Sequence, residues 1–198
     1  MVKVIGLTGS IAVGKSTVSQ YLMTHGYAVL DADAISKEAL NLGTSCYQKV
    51  KELFGCIQAD GTINRQELGK IVFHDKEKKK VLEDIIHPYV IEQIQKGIQD
   101  CQDDVIFLDI PLLFEAHLEY LCDRIIVVYV DEHTQMKRLM KRNHITDSDA
   151  RHLMQQQISI EKKKDMGDFI LDNRLNYQEL YKEIERVLKV IQDEVIHE

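Results

Sequence analysis

The segment Gly9-Ser10-Ile11-Ala12-Val13-Gly14-Lys15-Ser16 fits the pattern G-x-x-x-x-G-K-[ST], and no other stretch of the chain constrains its fold as strongly. A loop of this kind works only between a strand and a helix. Its glycines let backbone N–H groups turn inward around phosphate, and the helix N-terminus adds partial positive charge. Both flanks are present. Val2 to Thr8 is short and rich in β-branched residues, with only Lys3 charged, and Thr17 to Met23 continues as a helix. In that setting Gly9 and Gly14 shape a phosphate cradle. Lys15 is placed to reach β- and γ-phosphates, and the Ser16 hydroxyl to ligate Mg²⁺.

A chain of 198 residues with 44% hydrophobic and 29% charged content reads as globular, either one domain of ordinary size or one core with insertions. No apolar run approaches the length of a membrane span, and the N-terminus leads into a strand without signal-peptide architecture, so a cytoplasmic location is expected. The formal net charge of -7 argues against general nucleic-acid binding. The four cysteines are scattered without C-x-x-C spacing, which predicts idle thiols.

After Gly26, Tyr27 to Leu30 predicts a buried strand that ends at Asp31-Ala32-Asp33. If the backbone is still extended there, both carboxylates share a face and stand where parallel strands present ligand-binding groups. The alternative is that Asp33 caps a helix starting near Ala34. From Ile35 to about Gln102 the pattern is helical, with a turn at Asp60-Gly61, an N-cap at Asn64 and a break at His87-Pro88. So much helix between two strands predicts an inserted helical subdomain that helps bind a second substrate.

Val105 to Asp109 reads as a third strand ending in an acid, either a Mg²⁺-associated carboxylate or a cap on a helix opened by Pro111-Leu112-Leu113-Phe114-Glu115. Arg124 to Asp131 is the clearest strand. The following helix carries Lys137, Arg138, Lys141 and Arg142, either a solvated face or a set of cations closing over a triphosphate. Thr146 to Asp149 predicts another helix cap, Asp168 to Asn173 a short last strand, and Tyr177 to Val195 a final amphipathic helix.

These pieces, in order, resemble the dephospho-coenzyme A kinase family. The resemblance rests on Gly6-Leu7-Thr8-Gly9 with Gly14-Lys15-Ser16-Thr17, Asp31-Ala32-Asp33, Phe54-Gly55, and Asp60 to Arg65. It continues through His87-Pro88, Pro111 to Glu115, Gln135 with Arg138 and Arg142, Gln157, and Asp172-Asn173. It covers the chain from Met1 to about Asn173. It implies an α/β phosphate-loop fold like that of nucleoside monophosphate kinases: a five-stranded parallel sheet with core segments 1–35, 103–136 and 166–198. It also implies a substrate-binding insertion at 36–102 and a lid at 137–165. The implied activity is phosphorylation of the ribose 3′-hydroxyl of dephospho-coenzyme A by ATP with Mg²⁺, the last step of coenzyme A synthesis, with no nucleic-acid or membrane partner and no oligomeric state specified. Residue by residue, Ala12, Val13, Gly14, Lys15, Ser16 and Thr17 match the ATP loop, Asp33 the base at the acceptor hydroxyl, Arg138 and Arg142 the lid, and Asn173 the adenine end. Arg65 and His87 match the substrate side. The family commonly has glycine where this loop has Ser10 and Ala12, and Arg174-Leu175 replaces the small residues usual after the asparagine.

Rival classes leave other marks. A related small-molecule kinase would share the scaffold and differ in its acceptor. A GTPase would carry Asn-Lys-x-Asp and Asp-x-x-Gly, and a transporter ATPase Leu-Ser-Gly-Gly-Gln; the chain has none of these.

Overall fold

The computed structural model describes residues 2–73 and 75–197; Met1, His74 and Glu198, which fall within the expected segments, lie outside the described residues. Five strands, β1 (Lys3–Gly9), β2 (Ala28–Asp31), β3 (Val105–Asp109), β4 (Arg124–Tyr129) and β5 (Phe169–Asp172), form one sheet in the order β2-β3-β1-β4-β5. β1 runs parallel to β3 and β4, and β4 runs parallel to β5. Every residue of β1 and β3 is buried, including Lys3, Thr8 and Asp109 among their mostly apolar residues, as suits central parallel strands. The chain builds β2 and β3 on one side of β1, then β4 and β5 on the other. The carboxyl end of β1 is therefore where such a sheet binds ligands.

The helices are α1 (Lys15–Thr24), α2 (Ala32–Glu38), α3 (Ser45–Phe54), α4 (Arg65–Phe73), α5 (Lys76–Asp100), α6 (Glu132–Asn143), α7 (Asp147–Gln155), α8 (Ile160–Met166) and α9 (Tyr177–His197). Two compact units result, one of residues 2–30 with 101–197, the other of residues 31–100. In the second, buried Tyr47, Val50, Cys56, Ile63 and Leu68 form the core. The Tyr47 hydroxyl donates to the Gly61 carbonyl at 2.6 Å, so the buried ring keeps a partner for its polar end. Asn64 accepts from the Glu67 amide, and Thr146 with Asp149 forms a reciprocal capping box on α7, both as the sequence predicts.

Several sequence expectations fail. β2, expected to be buried, is only half-buried along Ala28 to Leu30 and exposed at Asp31. α5 passes through His87-Pro88 without a break. Proline removes one ladder hydrogen bond and disfavours a helix interior by about 3 kcal/mol. Ile86, Val90 and Ile94, four apart on either side of it, are all buried, and that packing carries the helix across. The expected helix at Pro111 to Glu115 is also absent: residues 111–117 form consecutive turns, followed by a 3₁₀ turn at Glu119–Leu121. The Pro111 carbonyl, which a helix would use as an acceptor, instead accepts from Thr8 Oγ1 at 3.2 Å and Lys163 Nζ at 3.1 Å.

Candidate active site

The loop between β1 and α1 owes its shape to close packing from behind. Gly9 sits where a Cβ would approach Val13 Cγ2 at 2.7 Å and the Val128 carbonyl at 3.0 Å. Gly14 adopts φ +90°, and Ala12 holds φ +62°, the left-handed conformation that strains any residue with a side chain. Among the described residues, no protein group accepts from the N–H groups of Ala12, Gly14, Lys15 or Ser16. They sit before and within the first turn of α1, which has no side-chain cap. Unpaired donors at a helix N-terminus suit an anion.

The rest of the loop is tied down. Ile11 N–H donates to Gln157 Oε1 at 2.8 Å, and its carbonyl accepts from Gln135 Nε2 at 2.8 Å. Ser10 Oγ donates to the Ile158 carbonyl at 3.3 Å. Asn173, buried at the end of β5, donates from Nδ2 to the Val13 carbonyl at 2.8 Å, so its side-chain amide braces the loop. Arg138 on α6 donates to the Asn173 carbonyl at 2.9 Å. One turn further along, Arg142 is exposed and donates to the neighbouring Asn143 side chain.

Lys15 Nζ is paired with Asp109 Oδ1, and Ser19 Oγ donates to Asp109 Oδ2. Asp109 is 5% exposed, at the carboxyl end of β3, so its charge is neutralised where it is buried. With no helix following Asp109, the capping alternative falls away. The Ser16 hydroxyl is exposed on the first turn of α1. Thr17 donates its N–H to the Gly14 carbonyl at 3.0 Å, closing the loop onto the helix.

In the second unit the backbone turns helical at Ala32, earlier than an extended Asp31-Ala32-Asp33 requires. Asp31, not Asp33, is the cap: its Oδ1 accepts from the N–H groups of Asp33 at 2.8 Å and Ala34 at 3.0 Å. The two carboxylates therefore have different work, and Asp33 stands exposed in the first turn of α2. Arg65, at the start of α4, donates to the Lys37 carbonyl at 2.9 Å and Asn41 Oδ1 at 3.0 Å, beside a groove of about 500 Å³ lined by Leu40, Gln58 and Thr62. His87 is exposed on α5.

Sequence reasoning missed Ser19, and quoted Gln135 and Gln157 without a role. Ser19 had a readable signal, since it lies four residues after Lys15 on one helix face. It also missed Lys163, fully buried on α8, with Nζ 2.9 Å from Glu115 Oε1.

Unpaired amides after the first strand of a five-stranded parallel sheet, with a lysine heading the next helix, define a phosphate-loop nucleotide-binding protein. The family model for dephospho-CoA kinase matches residues 3–179. The dephospho-CoA kinase of Oceanobacillus iheyensis is 43% identical over 194 residues, covering 96% of this chain and 98% of that one. The structure of Thermus thermophilus TT1252 superposes with a TM-score of 0.82 at 30% identity, covering 98% of this chain and 97% of that one. The dephospho-CoA kinase of Campylobacter jejuni does so at 0.74 and 32%, covering 96% and 98%. The chain belongs to the dephospho-CoA kinase family. Among the described residues no helix is long and apolar enough to cross a membrane.

Proposed function

We propose that this chain transfers the γ-phosphoryl group of ATP to the ribose 3′-hydroxyl of dephospho-coenzyme A, releasing ADP and completing coenzyme A synthesis in the cytoplasm. The observation that carries the reading is the set of unpaired N–H groups at Ala12, Gly14, Lys15 and Ser16. Phosphoryl transfer has a loose, charge-spread transition state, so placed donors and cations contribute more than a strong base. Lys15 would exchange Asp109 for phosphate oxygens when ATP binds. Thr17, Val13 and Gly9 shape the loop, and Asn173 holds it from behind toward the adenine end.

Asp33 is assigned to orient the acceptor hydroxyl and take its proton late in the step. Arg138 and Arg142, in a lid of residues 137–165, would neutralise charge on the transferring group, and Arg65 and His87, in a substrate-binding segment of residues 36–102, would bind the acceptor. The donor set also fits Mg²⁺. Among the described residues there is no cluster of three or more His, Cys, Asp or Glu side chains able to hold a metal. Mg²⁺ characteristically keeps water and phosphate oxygens as ligands and needs little from the protein. Ser16 would supply a hydroxyl, and Asp109, already engaged by Lys15 and Ser19, would act from beside it. The ion would screen the phosphate charges.

The test is ADP release with Mg-ATP and a panel of acceptors: dephospho-coenzyme A, a nucleoside, a nucleoside monophosphate and a sugar acid. Turnover with dephospho-coenzyme A at least about a hundredfold above the others, equivalent to roughly 2.7 kcal/mol of discrimination, is expected. Preference for another member of the panel overturns the assignment.

A further inference from the structure

Lys163 is a fully buried charge that the chemistry above leaves unused. Its side chain is 0% exposed. From α8 its Nζ donates to the Gly9 carbonyl, the first residue of the phosphate loop, at 3.3 Å, and to the Pro111 carbonyl at 3.1 Å. The pairing oxygen of Glu115, Oε1, also accepts from the Ile158 N–H at 2.9 Å, while Glu115 Oε2 is buried with no hydrogen-bond partner among the described residues. A buried ammonium is kept only where donors and charge are satisfied, and here all three donors have acceptors. Desolvation lowers its pKa, the Glu115 carboxylate opposes that, and the Lys15 charge adds to the lowering. The two lysines therefore feel one another's field.

We propose that Lys163 is a positioning residue of the phosphate site, a cation behind the loop that fixes the Gly9 carbonyl and raises the potential where ATP phosphates bind, with Glu115 setting how much of that charge is felt. The inference rests on the ATP-binding reading of the loop. Lys163 touches the loop through the Gly9 carbonyl, and Glu115 acts on it through its ion pair with Lys163 and its bond to the Ile158 N–H. Their variants should therefore alter the grip on ATP and leave the affinity for dephospho-coenzyme A unchanged.

The decisive contrast is between Lys163→Met and Glu115→Gln, with ATP binding measured at equilibrium without acceptor. Lys163→Met should weaken ATP about tenfold, and Glu115→Gln, which keeps the Oε1 acceptor but removes its charge, should tighten it about threefold in titrations taken at the acid end of the enzyme's stable range, where the lysine keeps its proton without its partner. A merely structural pair would weaken ATP in both variants. Where Lys163→Met strands a buried carboxylate and fails to fold, the Lys163→Met/Glu115→Gln double variant removes the stranded charge and should bind ATP more weakly than Glu115→Gln alone. If no Lys163→Met variant folds, Glu115→Gln decides alone: tighter binding supports the proposal, and unchanged or weaker binding overturns it. Loss of ATP binding in the unmodified enzyme would instead remove the loop assignment itself, and this proposal with it.

Discussion

Gly14→Ala puts the phosphate loop under the most direct steric test. At φ +90° an added methyl group enters a conformation that disfavours an L-residue by about 1–2 kcal/mol. Its Cβ would also collide with Asn173 Nδ2. Asn173 must then leave the Val13 carbonyl, and losing a buried hydrogen bond of that kind destabilises by about 1–3 kcal/mol. Together these give roughly 2–5 kcal/mol, or a fall of about 4–20 °C in Tm for a chain of this size. Calorimetric melting and ATP titration of Gly14→Ala, Asn173→Ala and the double variant separate the two contributions. With Asn173 truncated the methyl group meets nothing, so the Gly14→Ala effect should shrink to the backbone contribution, leaving a coupling of about 1–3 kcal/mol. A Gly14→Ala enzyme that melts and binds ATP like the parent, or effects that simply add, would refute the reasoning.

Asp33→Asn should leave ATP affinity unchanged and reduce turnover by at least about a hundredfold, as loss of a placed proton acceptor does; near-normal turnover would remove Asp33 from the mechanism. Lys15→Ala should weaken ATP binding and turnover together, and unaltered ATP affinity in a titration would contradict the loop assignment. Ala12→Gly relieves left-handed strain while adding freedom to the unfolded chain, so a net gain of about 0–1 kcal/mol is expected by denaturant melting, and any loss beyond that range contradicts it. Burial pushes the Cys122 thiol up to about 12, so the folded form holds a proton that the unfolded form releases near pH 8.5. Its contribution to stability is therefore complete below about pH 8.5 and fades towards pH 12, by roughly 1.4 kcal/mol per unit. Cys122→Ser should flatten that alkaline slope in melts taken at rising pH.

The elements that surround the phosphate loop were legible because each obeys one local rule. β1, β3 and β4 are short apolar runs ending in a loop residue, an acid or a cap, and their parallel burial follows from those runs. Pro88 misled because its local penalty is smaller than the packing of Ile86, Val90 and Ile94 around it. Pro111 misled for the opposite reason, since a distant lysine and Thr8 claim the carbonyl that a helix would need. Asp31 and Asp33 were hard to separate while the end of β2 was unknown: a helix starting at Ala32 makes the first acid the cap and leaves the second exposed. Lys163 sits in the run Glu161-Lys162-Lys163-Lys164-Asp165, which looks like a solvated face. Only its spacing of three from buried Ile160 hints that it points inward.

The most direct measurement is the identity of the phosphorylated product. Enzyme, Mg-ATP and dephospho-coenzyme A are incubated, and the acceptor is followed by ³¹P NMR beside ADP. A new phosphomonoester on the ribose 3′-oxygen, formed in step with ADP, is the expected result. ADP formed with the acceptor unchanged, or an ester on a different oxygen, would contradict the assignment of this loop and of Asp33 to that transfer.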